Sequence, residues 1–113
     1  MTIKNILREA RQFLGVRLPV TVNLYDGEDT PQGWDGAHTL KRRKRHIIDL
    51  PRKPSRGCHS ILAHELVHAY LEEVAPNVPI HGRLFQYYAQ QFENHLQSLG
   101  YAVEDIYDKA LDK

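Results

Sequence analysis

The chain has 113 residues, 42% of them hydrophobic and 26% charged, with a formal net charge of +1 when the histidines are neutral. That is enough chain for one core but not for two, and a charge so near zero gives no global reason to bind nucleic acid. The single cysteine, Cys58, excludes an internal disulfide and a cysteine-rich zinc ribbon, so any metal site must be built from histidines and carboxylates.

Lys4, Arg8 and Arg11 fall where a signal peptide would need an apolar segment. No apolar run is long enough to span a bilayer. The expected setting is the cytoplasm, and the expected state a monomer without a membrane partner.

Taken in order, residues 2–14 place Ile3, Ile6, Leu7, Ala10 and Leu14 at helical spacing, with Thr2 as N-cap and Gly15 as stop. Residues 19–25 alternate Val20, Val22 and Leu24 against Thr21, Asn23 and Tyr25, the period of a strand. Turn-forming residues fill 26–33. Two further strands are predicted over 34–40 and 45–50, joined at a hairpin tip by Lys41, Arg42, Arg43 and Lys44. Pro51 and Pro54 end the sheet region.

A helix is predicted over residues 55–74, broken by the proline-containing stretch 75–79. A second long helix is predicted over 81–99, with Leu84, Phe85, Tyr88, Phe92, Leu96 and Leu99 on its apolar side, His81 on the same stripe, and Gly100 as stop. Residues 101–111 read either as a short terminal helix or as an extended tail. The expectation is an α+β domain spanning residues 1–113, in which a small three-stranded antiparallel sheet packs against the helices.

Within the first long helix stands His64-Glu65-Leu66-Val67-His68. Residues i and i+4 share one helix face, so both imidazoles can reach one metal ion with Glu65 beside them. This is the pattern of zinc hydrolases, whose glutamate acts on water. A catalytic zinc takes three protein ligands. Among Glu72, Glu73, His81, His95, Glu104, His38, His46 and His59, the best third ligand is His81. It follows a reversal that can bring the second helix back against the first, and it occupies an inward position where a metal-bound imidazole is satisfied.

The segments Ala63-His64-Glu65-Leu66-Val67-His68-Ala69-Tyr70 and His81-Gly82-Arg83-Leu84-Phe85 resemble the SprT-like zinc metallopeptidases, as does the strand Ile47-Ile48-Asp49-Leu50 before them. The resemblance covers about residues 1–98. It implies a zincin-like core, one Zn²⁺ held by His64, His68 and His81, and Glu65 as catalytic base in peptide hydrolysis. The zinc ribbon of many members has no counterpart here.

Tyr88 is the leading candidate to stabilise an oxyanion, with Tyr87, Tyr101 and Tyr25 as alternatives. The substrate is expected to lie extended along a sheet edge. The cluster Lys41, Arg42, Arg43, Lys44 and Arg45, with Trp34 nearby to stack on a base, is the one local signal for DNA; it reads equally well as a solvated hairpin tip. The competing functional class is a non-catalytic, zinc-stabilised DNA-binding module.

Overall fold

A computed structural model describes residues 3–26, 36–52 and 58–108. The first helix runs as α1 (Ile3–Glu9) and closes with a π-helical turn over Ala10–Leu14. Its buried side chains, Ile6, Ala10 and Leu14, are spaced to face the core. Gly15 ends it at φ 95°, donating its N–H to the Ala10 carbonyl at 3.0 Å, a conformation that favours glycine. Thr2, the expected N-cap, lies outside the described residues.

The sheet comprises β1 (Val20–Tyr25), β2 (Ala37–Lys41) and β3 (Arg45–Pro51) in the order β1-β3-β2. It is mixed, which corrects the expected antiparallel sheet. β2 pairs antiparallel with β3, but β1 pairs parallel with β3, from Val20 opposite His46 to Tyr25 opposite Pro51. The physical reason is that a period of two specifies a strand and its faces, not its neighbours. The run Ile47-Ile48-Asp49-Leu50 was a partial signal, since a central strand reads as more continuously apolar than a half-buried one, and in the structure His46, Ile48, Asp49 and Leu50 are all buried. β2 begins at Ala37 rather than at residue 34; Trp34 lies outside the described residues.

The register sorts the sheet's two faces. Val20, Val22 and Leu24 of β1, His46, Ile48 and Leu50 of β3, and His38 and Leu40 of β2 share one face. Ile48 and Leu50 are fully buried there within the core that the helices close.

α2 (Cys58–Val74) buries Ile61, Leu62, Ala63, Leu66, Val67 and Ala69 completely, so it is covered on nearly every side. α3 (Arg83–Ser98) is amphipathic, with Phe85, Ala89, Phe92 and Leu96 inward. It is shorter than expected at both ends. Leu99 follows it and is half exposed, because the chain is already turning towards Gly100 at φ 90°. His81 precedes the helix, so the expected place for it on the helical stripe is also corrected. Residues 101–108 are neither helix nor strand. Among the described residues, no helix is long and apolar enough to cross a membrane.

Candidate metal centre

The Nε2 atoms of His64, His68 and His81 converge. They stand 3.2 Å (His64 to His68), 3.0 Å (His68 to His81) and 3.3 Å (His81 to His64) apart. Tetrahedral coordination at 2.0–2.1 Å separates ligand nitrogens by about 3.3 Å. The triangle therefore has the size that one small cation requires. Among the described residues this histidine group has three members and no carboxylate or thiolate. Three imidazoles suit several transition metals, zinc among them.

Each ligand is aimed by local structure. His64 and His68 project from successive turns of α2. His81 is in the left-handed region at φ 59°. That conformation costs an L-residue about 1–2 kcal/mol and is the kind of strain that collects at functional sites. The next residue makes the turn feasible: a Cβ on Gly82 would stand 3.1 Å from the Pro79 Cβ and 3.2 Å from its carbonyl oxygen. Gly82 also donates its N–H to Pro79 and accepts from Gln86 as α3 begins. The His-Gly pair is thus a strained histidine followed by a residue small enough to leave the turn.

Phe85, fully buried on the first turn of α3, touches all three imidazoles. Its ring stacks on His68 at 4.4 Å between centroids and meets His64 at 4.8 Å and His81 at 5.0 Å edge to face. It forms an apolar floor that holds the rings in place.

Behind His64 lies a partner with no sequence signature. The Nδ1–H of His64 donates to the Ile106 carbonyl at 2.6 Å, which fixes the tautomer that leaves Nε2 for a metal. The Ile106 N–H donates in turn to Glu93 Oε1 at 3.0 Å. Gln97 holds the Val103 carbonyl, Ser60 Oγ accepts the Glu104 N–H, and Gln86 holds the Tyr107 carbonyl. The segment after α3 is therefore strapped across α2 and α3, with one carbonyl pressed against His64.

Glu65 is fully buried. Its Oε2 lies 3.1 Å from where a Gly36 Cβ would stand, and Ile61 Cγ2 only 2.4 Å from that point. Gly36, just before β2, lets the backbone pass against the carboxylate; sequence reasoning did not single it out.

A cleft of about 470 Å³ opens at the centre, lined by Ala37, His38 and Leu40 of β2, His68 and Glu72 of α2, and the loop through Ile80 and His81. Among the described residues, no tyrosine lines it. Tyr88 packs against Tyr70 with centroids 5.0 Å apart, Tyr87 is exposed, Tyr101 packs on the core, and Tyr25 donates to Asp49 at 3.4 Å. A tyrosine that sequence reasoning passed over, Tyr107, lies beside His81 in a neighbouring depression with Gln86 and Asp105. The negative charge of Asp105, burial and a hydrogen bond to Asp105 push its hydroxyl above the ordinary value of 10.0.

The basic residues Lys41, Arg42, Arg43, Lys44 and Arg45 are all exposed at the β2–β3 hairpin. Arg42 and Arg43 occupy the left-handed region at φ 53° and 56°, as a twisted two-stranded turn demands. Arg45 donates to Thr21 Oγ1 at 2.9 Å, which leaves the other four at the tip.

Comparison with protein-family models, with curated proteins and with solved structures finds no match.

Proposed function

We propose that the chain is a zinc-dependent endopeptidase with a zincin-like core of the SprT-like kind, in which His64, His68 and His81 hold one Zn²⁺. The observation that carries this reading is the triangle of Nε2 atoms, 3.0–3.3 Å on a side, with a buried glutamate one residue from the first ligand. Three protein ligands favour a catalytic site over a structural one, which closes around the metal with four.

Zinc would supply Lewis acidity, polarising a scissile carbonyl and lowering the pKa of a bound water to roughly 7. Glu65 takes a proton from the attacking water as its oxygen bonds to the carbonyl carbon. It then delivers that proton to the nitrogen as the C–N bond breaks. An extended substrate would add a strand to β2, the edge strand that lines the cleft, through backbone hydrogen bonds. Recognition of this kind reads little sequence, so selectivity would come from recruitment. The exposed hairpin charges at Lys41, Arg42, Arg43 and Lys44 support recruitment to DNA-bound proteins.

The test is casein hydrolysis by zinc-loaded protein, wild type against Glu65→Gln, with and without single-stranded DNA. The expected result is cleavage by the wild type, loss of about 10²–10⁴-fold in the variant at unchanged zinc content, and weaker DNA binding when the four tip residues are neutralised. A Glu65→Gln protein that cleaves at the wild-type rate would refute the mechanism.

A further inference from the structure

The cleft beside the metal centre has a chemical character as well as a shape. Its wall along the end of α2 and the loop into α3 is built from Leu71, Ala75, Pro76, Val78, Pro79 and Ile80. Histidines aside, Glu72 is the one ionisable side chain among the described residues that line it, and the lining holds no lysine or arginine. At about 470 Å³ the cleft falls in the size range of ligand sites, which are mostly apolar with a few polar groups.

Ile80 stands out in this wall. It is 77% exposed, more than any other large apolar side chain described. Val74, Tyr87 and Leu99 are also more than half exposed, but none of them lines the cleft. A lone exposed aliphatic residue needs no explanation. Ile80 is not alone: Pro76 and Pro79 are exposed in the same wall, and Val78 is half-buried. The loop also holds Ile80 in place. Pro79 fixes the backbone before it, and His81 follows in the left-handed region. Val78 donates its N–H to the Ala75 carbonyl at 3.3 Å, and Gly82 to the Pro79 carbonyl at 3.1 Å. Turning this backbone to bury Ile80 would draw His81 away from His64 and His68. An apolar group laid on Ile80 would release its water with little further ordering of the loop.

We propose that Ile80 is a specificity-determining residue: with Pro76, Val78 and Pro79 it receives a large apolar side chain of the extended polypeptide, carried by a residue that flanks the bond presented to the metal centre. This rests on the reading of the cleft as a polypeptide site, and it adds a preference at one position to backbone recognition along β2. Two observations choose this occupant. The cleft shares His68 and His81 with the metal centre, so a chain presented there passes Ile80. The charge of Glu72, with no cation in the lining to oppose it, disfavours an acidic side chain or a nucleic-acid phosphate at the same place.

The probes are short glycine-serine peptides with one central leucine, serine or aspartate, bound to zinc-loaded Glu65→Gln protein and followed by fluorescence anisotropy. The leucine peptide should bind about tenfold or more tighter than the serine peptide, the worth of burying one large aliphatic side chain, and the aspartate peptide should bind weakest. Ile80→Ser should cut the leucine advantage about three- to tenfold, with zinc content and serine-peptide affinity unchanged, and Ile80→Leu should keep it. Three results each overturn the proposal: a parent that binds the peptides alike, a parent that binds none at millimolar concentration, or an Ile80→Ser protein with the full leucine advantage. Zinc-loaded wild type should cut the leucine peptide at a bond next to leucine, and a cut elsewhere overturns the placement. If leucine is preferred through Ile80 but the wild type cuts neither peptide nor casein, the peptidase reading fails and the side-chain site stands. If casein is cut and leucine is not preferred, this proposal fails and the peptidase reading stands.

Discussion

The groups His64/His68/His81 and His38/His46/Glu73 use nearly the same side chains to opposite ends. In the first, three Nε2 atoms meet within 3.0–3.3 Å, a spacing compatible with one metal ion. In the second, the groups follow one another in a line, with His46 Nε2 2.6 Å from the Glu73 carboxylate and its Nδ1 2.9 Å from His38 Nε2.

The largest test of that distinction removes a converging nitrogen. His81→Ala should cost more metal affinity than the roughly 10–100-fold typical of an outer partner, measured by competition with a chromophoric chelator, whereas His38→Ala should leave it unchanged. Next is the packing that sets the triangle. Phe85→Ala should lower stability by about 3–5 kcal/mol in urea unfolding and loosen metal binding with it. Removing the acceptor behind Ile106 is smaller. Glu93→Ala should weaken the metal by about 10–100-fold, and Glu93→Gln, which keeps an acceptor oxygen, should recover most of it. Gly36→Ala should cost about 1–3 kcal/mol by overpacking against Ile61 and Glu65.

The smallest effect belongs to the serial group and depends on pH. The folded-state carboxyl of Glu73 lies below 4.5, so its contribution is fully present above that pH and lost as pH falls through the folded value. Glu73→Gln should therefore destabilise the protein by a constant amount from pH 7 down to about 5, and the gap to wild type should close in more acidic solution. Urea midpoints across that range would check it.

The comparison also shows what the sequence could carry. His64, Glu65 and His68 were legible because a helix converts a four-residue offset into a shared face. The convergence of His81 on the other two histidines was legible but its conformation was not, since spacing does not reveal a left-handed residue; the adjacent glycine was the available sign. The serial group was beyond reach, because it depends on β2 pairing with β3 in a particular register and on Glu73 at the far end of α2. Ile106 was equally hidden: every residue has a carbonyl, and composition does not mark the one that will aim a ligand. The mixed sheet was missed for a related reason, that lateral strand order is a tertiary choice.

The strap across α2 has a consequence for the order in which the protein matures. During synthesis all three ligands have been made by residue 81, and the aromatic floor by residue 85, yet His64 acquires its orienting carbonyl only when residue 106 emerges. A nascent chain that stops short of that point carries the ligands without a fixed tautomer. A chain truncated before Ile106 would keep the three histidines and lose the carbonyl that orients His64.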